Sequence, residues 1–303
     1  MTGRAQGVEW TERVLVRKGE GPEDAVRLSL RDWGVGGGEG GDGAAAVLLL
    51  HGLAGHCGEW DDLARRLRAD GHRVLALDQR GHGASERRPA DVSRAAYVAD
   101  IDAVISELGL SGVVLIGQSY GGHAALLAAG TGAGGVAGAV LVEAGPGRDD
   151  PESFQAVADW LRGWPVPFPS REAAVAHLGG GPVGEAWADG LEPHDDGLRP
   201  RFDPEILIAS LRENTTRSWW REWAAIDVPV LVVLGRHGII GAADHAEMAR
   251  LQPDRMRSVS VPDAGHDLHL EQPETLYRLV RDFLAAPTRA VAESPCAGAR
   301  SNT

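Results

Sequence analysis

The chain has 303 residues, close to the upper size for one hydrophobic core, so a single domain with an insertion, or two domains, is expected. At 43% hydrophobic and 24% charged residues it has the composition of an ordinary globular protein. Its formal net charge of −13 argues against a general nucleic-acid binder, which needs a basic face, and no run of Lys/Arg points to an anionic membrane.

No window approaches 18 apolar residues, so no membrane span is expected. Two cysteines, Cys57 and Cys296, make neither a disulfide framework nor a metal cluster. The opening "MTGRAQGVEW" lacks the apolar core of a secretory signal. A cytoplasmic protein without metal or cofactor is the expectation, as a monomer or homodimer acting on a small molecule.

In chain order, "RVLVR" (13–17) and "VRLSLRDW" (26–33) alternate with period two, as an antiparallel edge does. A glycine-rich connector (34–43) follows. "AAAVLLL" (44–50) is continuously apolar, the mark of a strand buried on both faces. Residues 59–70 have helical spacing at Trp60, Leu63, Ala64 and Leu67, with Gly71 as a C-cap. Strand and helix then alternate. "HRVLALD" ends at Asp78, a helix covers 93–108, and "GVVLIGQS" ends at Ser119 before the helix "GGHAALLAAG". "VAGAVLVEA" ends at Ala144. "VPVLVVLGR", "AADHAEMARL", "MRSVSVPDAG" and "PETLYRLVRDFLAA" complete the series as strand, helix, strand, helix. Such alternation predicts an α/β fold: a mostly parallel eight-stranded sheet with helices on both faces and ligands beyond the carboxyl ends of the strands.

Residues 147–226 break the alternation. They hold most of the tryptophans, the proline-rich "GWPVPFPS" and several short helical patterns. They are expected to form a helical cap between a first core part (1–146) and a second (227–286), with 287–303 a disordered tail. Aromatic residues here either fasten cap to core or line an apolar pocket. The pocket candidates are Trp160, Trp164, Trp219 and Trp220, together with His56 and His237.

"GQSYGG" (117–122) fits G-x-S-x-G directly between a strand and a helix, the context that motif requires. The turn leaves the Ser119 hydroxyl exposed beside a helix N-terminus, whose partial positive charge favours a developing anion. A serine hydroxyl is a weak nucleophile and needs a base. His266, in a loop after the last strand, is the candidate, and His269 three residues on is supporting or cap-facing. "HGLAGHCGEW" (51–60) puts a glycine-rich turn after a central strand. The backbone N–H groups of Leu53 and Tyr120 are the candidate oxyanion donors, with His51 bonding within the turn.

Together, "HGLAGHCGEW", "DQRGHGAS", "GQSYGG", "VLVEAGP" and "AGHDLHLEQPE" resemble the α/β-hydrolase superfamily over about residues 14–286. In most members an acid stands three residues after the glycine that ends the strand matching "VPVLVVLG". Here that position is Gly238. A histidine base without a carboxylate loses its tautomer and the stabilisation of its cation. The resemblance offers Glu143, which ends the strand after the Ser119 helix, where haloalkane dehalogenases place a glutamate. A glutamate at the end of an apolar strand is costly to bury without a partner. Pairing of Glu143 with Arg148 is the bland alternative, and Asp244, Asp227 and Asp267 are weaker acids. Ser119 stands where dehalogenases and epoxide hydrolases of this fold carry an aspartate, so those activities are not implied.

The resemblance therefore implies a serine hydrolase acting by acyl transfer on a small to medium apolar ester, lactone or amide, in secondary metabolism by one reading. Two alternatives stay open. The same triad could serve C–C cleavage, cyclisation or condensation, or the chain could be a slow-turnover ligand receptor.

Overall fold

The computed structural model describes residues 9–18, 25–35 and 45–286. The expected tail, part of the glycine-rich connector, Cys296 and the first residues of the chain lie outside these. The elements run β1 (Thr11–Arg17), β2 (Val26–Val35), β3 (Ala46–Leu50), a short 3-10 helix (Cys57–Trp60), α1 (Asp61–Ala69), β4 (Arg73–Asp78), α2 (Arg94–Glu107), β5 (Val113–Gln118), α3 (Ser119–Gly130) and β6 (Val136–Val142). There follow α4 (Pro151–Arg162), α5 (Arg171–His177), α6 (Gly181–Asp189), β7 (Glu192–His194), β8 (Gly197–Arg199), α7 (Pro204–Thr216) and α8 (Trp220–Ala224). The chain closes with β9 (Val230–Gly235), α9 (Ala242–Leu251), β10 (Met256–Val261), α10 (Leu268–Glu271) and α11 (Pro273–Leu284).

Eight strands form one sheet in the order β1-β2-β4-β3-β5-β6-β9-β10. The β1–β2 and β2–β4 pairs are antiparallel, and every other pair is parallel. The continuous apolar runs have the cause expected of them. Along β3, Leu48 and Leu50 enter the core on one side of the sheet, while Val47 and Leu49 enter the core on the other. β5 divides Val113 and Leu115 from Val114 and Ile116 in the same way. Each fully buried aliphatic side chain stabilises the fold by about 1.5–3 kcal/mol. The strand order reverses at β3, so β3 and β5 open a crevice at their carboxyl ends.

Between β6 and β9 the chain forms α4 to α8 and the hairpin β7–β8, which the sequence pattern does not show because its strands are three residues each. Much of this segment packs on itself through Leu161, Trp164, Phe168, Phe202 and Leu207. Its last helix joins the main core instead: Trp223 of α8 is fully buried and donates from Nε1 to the Met248 carbonyl at 3.0 Å. Among the described residues no helix is long and apolar enough to cross a membrane.

Buried polar groups brace the loops at the carboxyl ends. Arg80, after β4, is wholly buried and donates from Nε and Nη2 to the Asp100 carboxylate of α2, both at 2.6 Å. His51 accepts at Nε2 from Gln79 N (3.0 Å), and its Nδ1 faces the Gly52 carbonyl at 2.7 Å. His82 accepts at Nε2 from Ala54 N (3.1 Å), and its Nδ1 faces the Arg80 carbonyl at 2.9 Å. Each ring needs one bare and one protonated nitrogen, so each is neutral. Burial pushes both down to about 3.

Two stability predictions follow from this bracing. Asp100→Ala strands a buried guanidinium and is expected to cost about 3–5 kcal/mol, read as a lowered denaturation midpoint. The two histidines take up protons in the unfolded chain below about pH 6.5, yet the folded state refuses them until about pH 3. Their contribution is thus complete above pH 6.5 and falls with acidification, by about 2 kcal/mol each at pH 5. The melting temperature should drop between pH 7 and pH 5, and by less in His82→Gln than in the wild type. A pH-independent melting temperature over that range would contradict it.

Candidate active site

The loops after β3, β5, β6, β9 and β10 lie in that spatial order along one edge of the sheet. Every site residue expected from the sequence at a strand end stands in this row. Among the described residues only four non-glycine residues have positive φ: Ala54 (60°), Ser119 (50°), Glu143 (52°) and Asp263 (56°). One falls in each of the loops after β3, β5, β6 and β10. This backbone region costs an L-residue of order 1 kcal/mol or more, and such residues cluster at functional sites.

Ser119 opens α3 directly after β5. Gly121 is a glycine because a Cβ there would collide with the carbonyl oxygens of Leu50 and His51. A Cβ at Gly122 would come within 2.6 Å of the Ala144 Cβ. These close approaches press α3 onto the strand ends and leave the serine at the tip of the turn. Tyr120 is in the first helical turn, where backbone N–H groups have no intrahelical acceptor. Opposite, Gly55 N donates to the Gly52 carbonyl at 3.2 Å, closing a turn with Leu53 at its second position. Among the described residues the Leu53 N–H has no acceptor.

Glu143 follows β6 and its side chain is fully buried. The Oε1 atom accepts from Gly235 N at 2.7 Å and Oε2 accepts from Ile239 N at 2.6 Å. Gly235 ends β9 and Ile239 lies in the turn that follows it. The carboxylate fills the space at Gly238, where any Cβ would collide with it. Its Oε2 lies 3.8 Å from Nδ1 of His266, an ion-pair separation longer than a hydrogen bond. Hydrogen bonds of this kind commonly tighten when substrate binds. Arg148 is not among the partners of Glu143, and Asp244 and Asp227 stand at the start of α9 and before β9.

One contact was not foreseen. Gln118, beside the serine, donates from Nε2 to the His266 carbonyl at 2.9 Å. Its other amide atom occupies the space a side chain at Gly52 would need. One amide thus ties the end of β5 to the loops after β3 and β10. Among the described residues no group of three His, Cys, Asp or Glu side chains could hold a metal ion.

Ser119, His266 and Glu143 line one cavity of about 830 Å³, together with Leu53 and Tyr120. Of the six expected pocket residues, Trp160 alone lines it. His56 faces away, with Nε2 at 3.0 Å from the Ala186 carbonyl. Trp164 is enclosed by Trp160, Trp187, Phe168 and Phe202. Trp219 stacks under Arg217 and against His123. Trp220 packs on the main core, and His237 is exposed. The apolar wall is instead Phe154, Val157, Trp160, Leu178, Trp187 and Leu211. Phe154, Val157 and Trp160 recur every three residues on α4, a helical spacing that could have marked them.

Comparison with known proteins places the chain. The model of the alpha/beta hydrolase family matches residues 47–279. The 2-(acetamidomethylene)succinate hydrolase of Mesorhizobium japonicum is 27% identical over 269 residues, 86% of this chain and 92% of that protein. The N-formylmaleamate deformylase of Pseudomonas putida is 31% identical over 259 residues, covering 80% and 89%. A crystal structure of E-2-(acetamidomethylene)succinate hydrolase superposes with a TM-score of 0.77 at 24% identity, over 90% of this chain and all of that one. With its eight-stranded, mostly parallel sheet and this match across most of its length, the chain belongs to the alpha/beta hydrolase family and is an enzyme of that family.

Proposed function

We propose that this enzyme is a serine hydrolase working by acyl transfer, with Ser119 as nucleophile, His266 as base and Glu143 as the acid of the triad. The observation that carries this reading is the seat of Glu143: two backbone N–H groups of the β9 turn hold its carboxylate 3.8 Å from His266 Nδ1, in the room left by Gly238. A carboxylate so placed fixes the imidazole with Nδ1 protonated and Nε2 free for the serine proton, and stabilises the cation that forms.

In the first half-reaction Ser119 Oγ attacks a carbonyl carbon while His266 takes its proton. The Leu53 and Tyr120 amides receive the oxygen as it becomes negative, and fixed donors of this kind need no reorganisation at that moment. The tetrahedral adduct collapses, His266 protonates the leaving group, and an acyl-serine remains. Water then attacks it with His266 again as base, which releases the acid and restores Ser119. The aliphatic and aromatic wall on α4 and α6 supports a small to medium apolar ester, lactone or amide, with the segment between β6 and β9 acting as a cap. Relatives named for hydrolysis and for deformylation support the hydrolytic outcome.

A fluorophosphonate probe should label the wild type at Ser119 and leave Ser119→Ala unlabelled. Glu143→Gln is expected to lower kcat for p-nitrophenyl butyrate by roughly 10²–10⁴-fold. Wild-type turnover in Glu143→Gln would remove Glu143 from the triad. Gly238→Ala forces a methyl into the carboxylate's seat. It should lower kcat about 10²-fold with the fold intact by circular dichroism, because displacing a catalytic group by an ångström is enough for that loss. Activity within twofold of wild type would show that the seat is not needed.

A further inference from the structure

The strands β3 and β10 carry the candidate oxyanion loop and the His266 loop, and β5, β6 and β9 lie between them. Sheet register therefore does not set one loop directly against the other. A buried contact does. Glu59, in the 3-10 helix that follows the oxyanion loop, meets His269 of α10, with Oε2 and Nε2 3.2 Å apart. Both side chains are 1% exposed.

Glu59 is also built into its own loop. Its Oε1 accepts from His56 N at 3.3 Å, and its backbone N–H donates to the His56 carbonyl at 3.2 Å. A Cβ at Gly55 would lie 2.7 Å from the same carboxylate, so Glu59 supports the turn that presents Leu53 from beneath. His269 stands three residues after His266, and the Trp60 ring packs on its imidazole at 4.8 Å between centroids. Direct contacts thus link the Leu53 turn to Glu59 and Glu59 to His269, and the three-residue step along the chain carries that link to His266. Burying an ionisable pair is weak evidence for stability, since apolar residues of equal volume often do as well, and fixing a register is its best-attested use.

We propose that Glu59 and His269 are positioning residues, a buried pair that holds the Leu53 amide and His266 in register. The consequence for catalysis rests on the acyl-transfer reading above, whereas the register itself does not. The pair is also sensitive to protons. Burial raises the Glu59 carboxyl to about 7, with Asp78 adding to this and His56 opposing it. Burial holds His269 down at about 4, with Asp267 and Glu271 opposing and His266 adding to the effect. His51 also lies within electrostatic range of His56 and His269. When ionised, the Glu59 carboxylate accepts from both His56 N–H and His269 Nε2–H. A proton added on Oε2 turns that oxygen into a donor towards His269. His269 can accept it only by moving its own proton to Nδ1, which has no partner.

An NMR titration of the wild type tests the register without any turnover. The Leu53 amide and His269 ring resonances should both show a step near pH 7 that is absent in Glu59→Gln. Failure of either resonance to sense that step would overturn the pairing. Kinetics on p-nitrophenyl butyrate test the consequence. Glu59→Gln should lower kcat about tenfold with KM within twofold. The ratio of wild-type to Glu59→Gln kcat/KM should fall from about ten above pH 7 to about one well below it, because a protonated Glu59 is as neutral as glutamine. His269→Gln, which keeps a donor, should recover most of the kcat lost in His269→Phe. A ratio that does not change with pH, or equal losses in the two His269 variants, would reduce the pair to ordinary packing. If the wild type neither turns over esters nor is labelled at Ser119, the acyl-transfer reading falls, and the NMR titration still decides the register.

Discussion

The Glu143 carboxylate is completely buried, and a buried carboxylate needs its oxygens satisfied. Here the donors are the backbone amides of Gly235 and Ile239, at 2.7 and 2.6 Å. They come from the last residue of a neighbouring strand and from the turn after it, so the carboxylate anchors β6 to β9 as well as facing His266 Nδ1. The turn can close over the carboxylate only because residue 238 has no side chain. Backbone conformation agrees with this packing. Glu143 bends into the left-handed region directly after β6, which brings its side chain across to β9.

The neighbouring strand ends follow the same logic. Ala54, Ser119 and Asp263 take that unfavourable backbone region too, in the loops that carry the Leu53 amide, the serine and His266. Contacts brace these loops: the His82 ring holds Ala54 N, the glycine-lined approach of α3 holds Ser119, and Gln118 holds the His266 loop. The apolar sheet beneath supplies rigidity. The polar groups above it fix positions.

The sequence shows the sheet clearly because strands buried on two faces have to be apolar throughout. β3, β5 and β9 could be read from that feature alone. Ser119 and Glu143 are legible as polar residues directly after such strands, and His266 as a loop residue between the last strand and the last helices. The cavity wall was less legible. A tryptophan has bulk but no direction in a sequence, so Trp164, Trp219 and Trp220 could not be told from Trp160 without the helix that orients them. The hairpin β7–β8 and the four-residue α10 are too short to leave a period. Gln118 and Glu59 act across elements distant in the chain, and residue type alone carries no sign of that.

The space shared by Glu143 and Gly238 has an evolutionary meaning. The two positions exclude one another, since a side chain at 238 would occupy the volume that the carboxylate fills. An acid cannot be added at 238 while 143 keeps its glutamate, and losing the glutamate first leaves the histidine without a partner. The two substitutions are therefore strongly epistatic. Under the proposed triad, the acid cannot move from 143 to 238 through single neutral steps, and a glycine at 238 beside a glutamate at 143 becomes a paired signature by which chains with the same arrangement can be recognised.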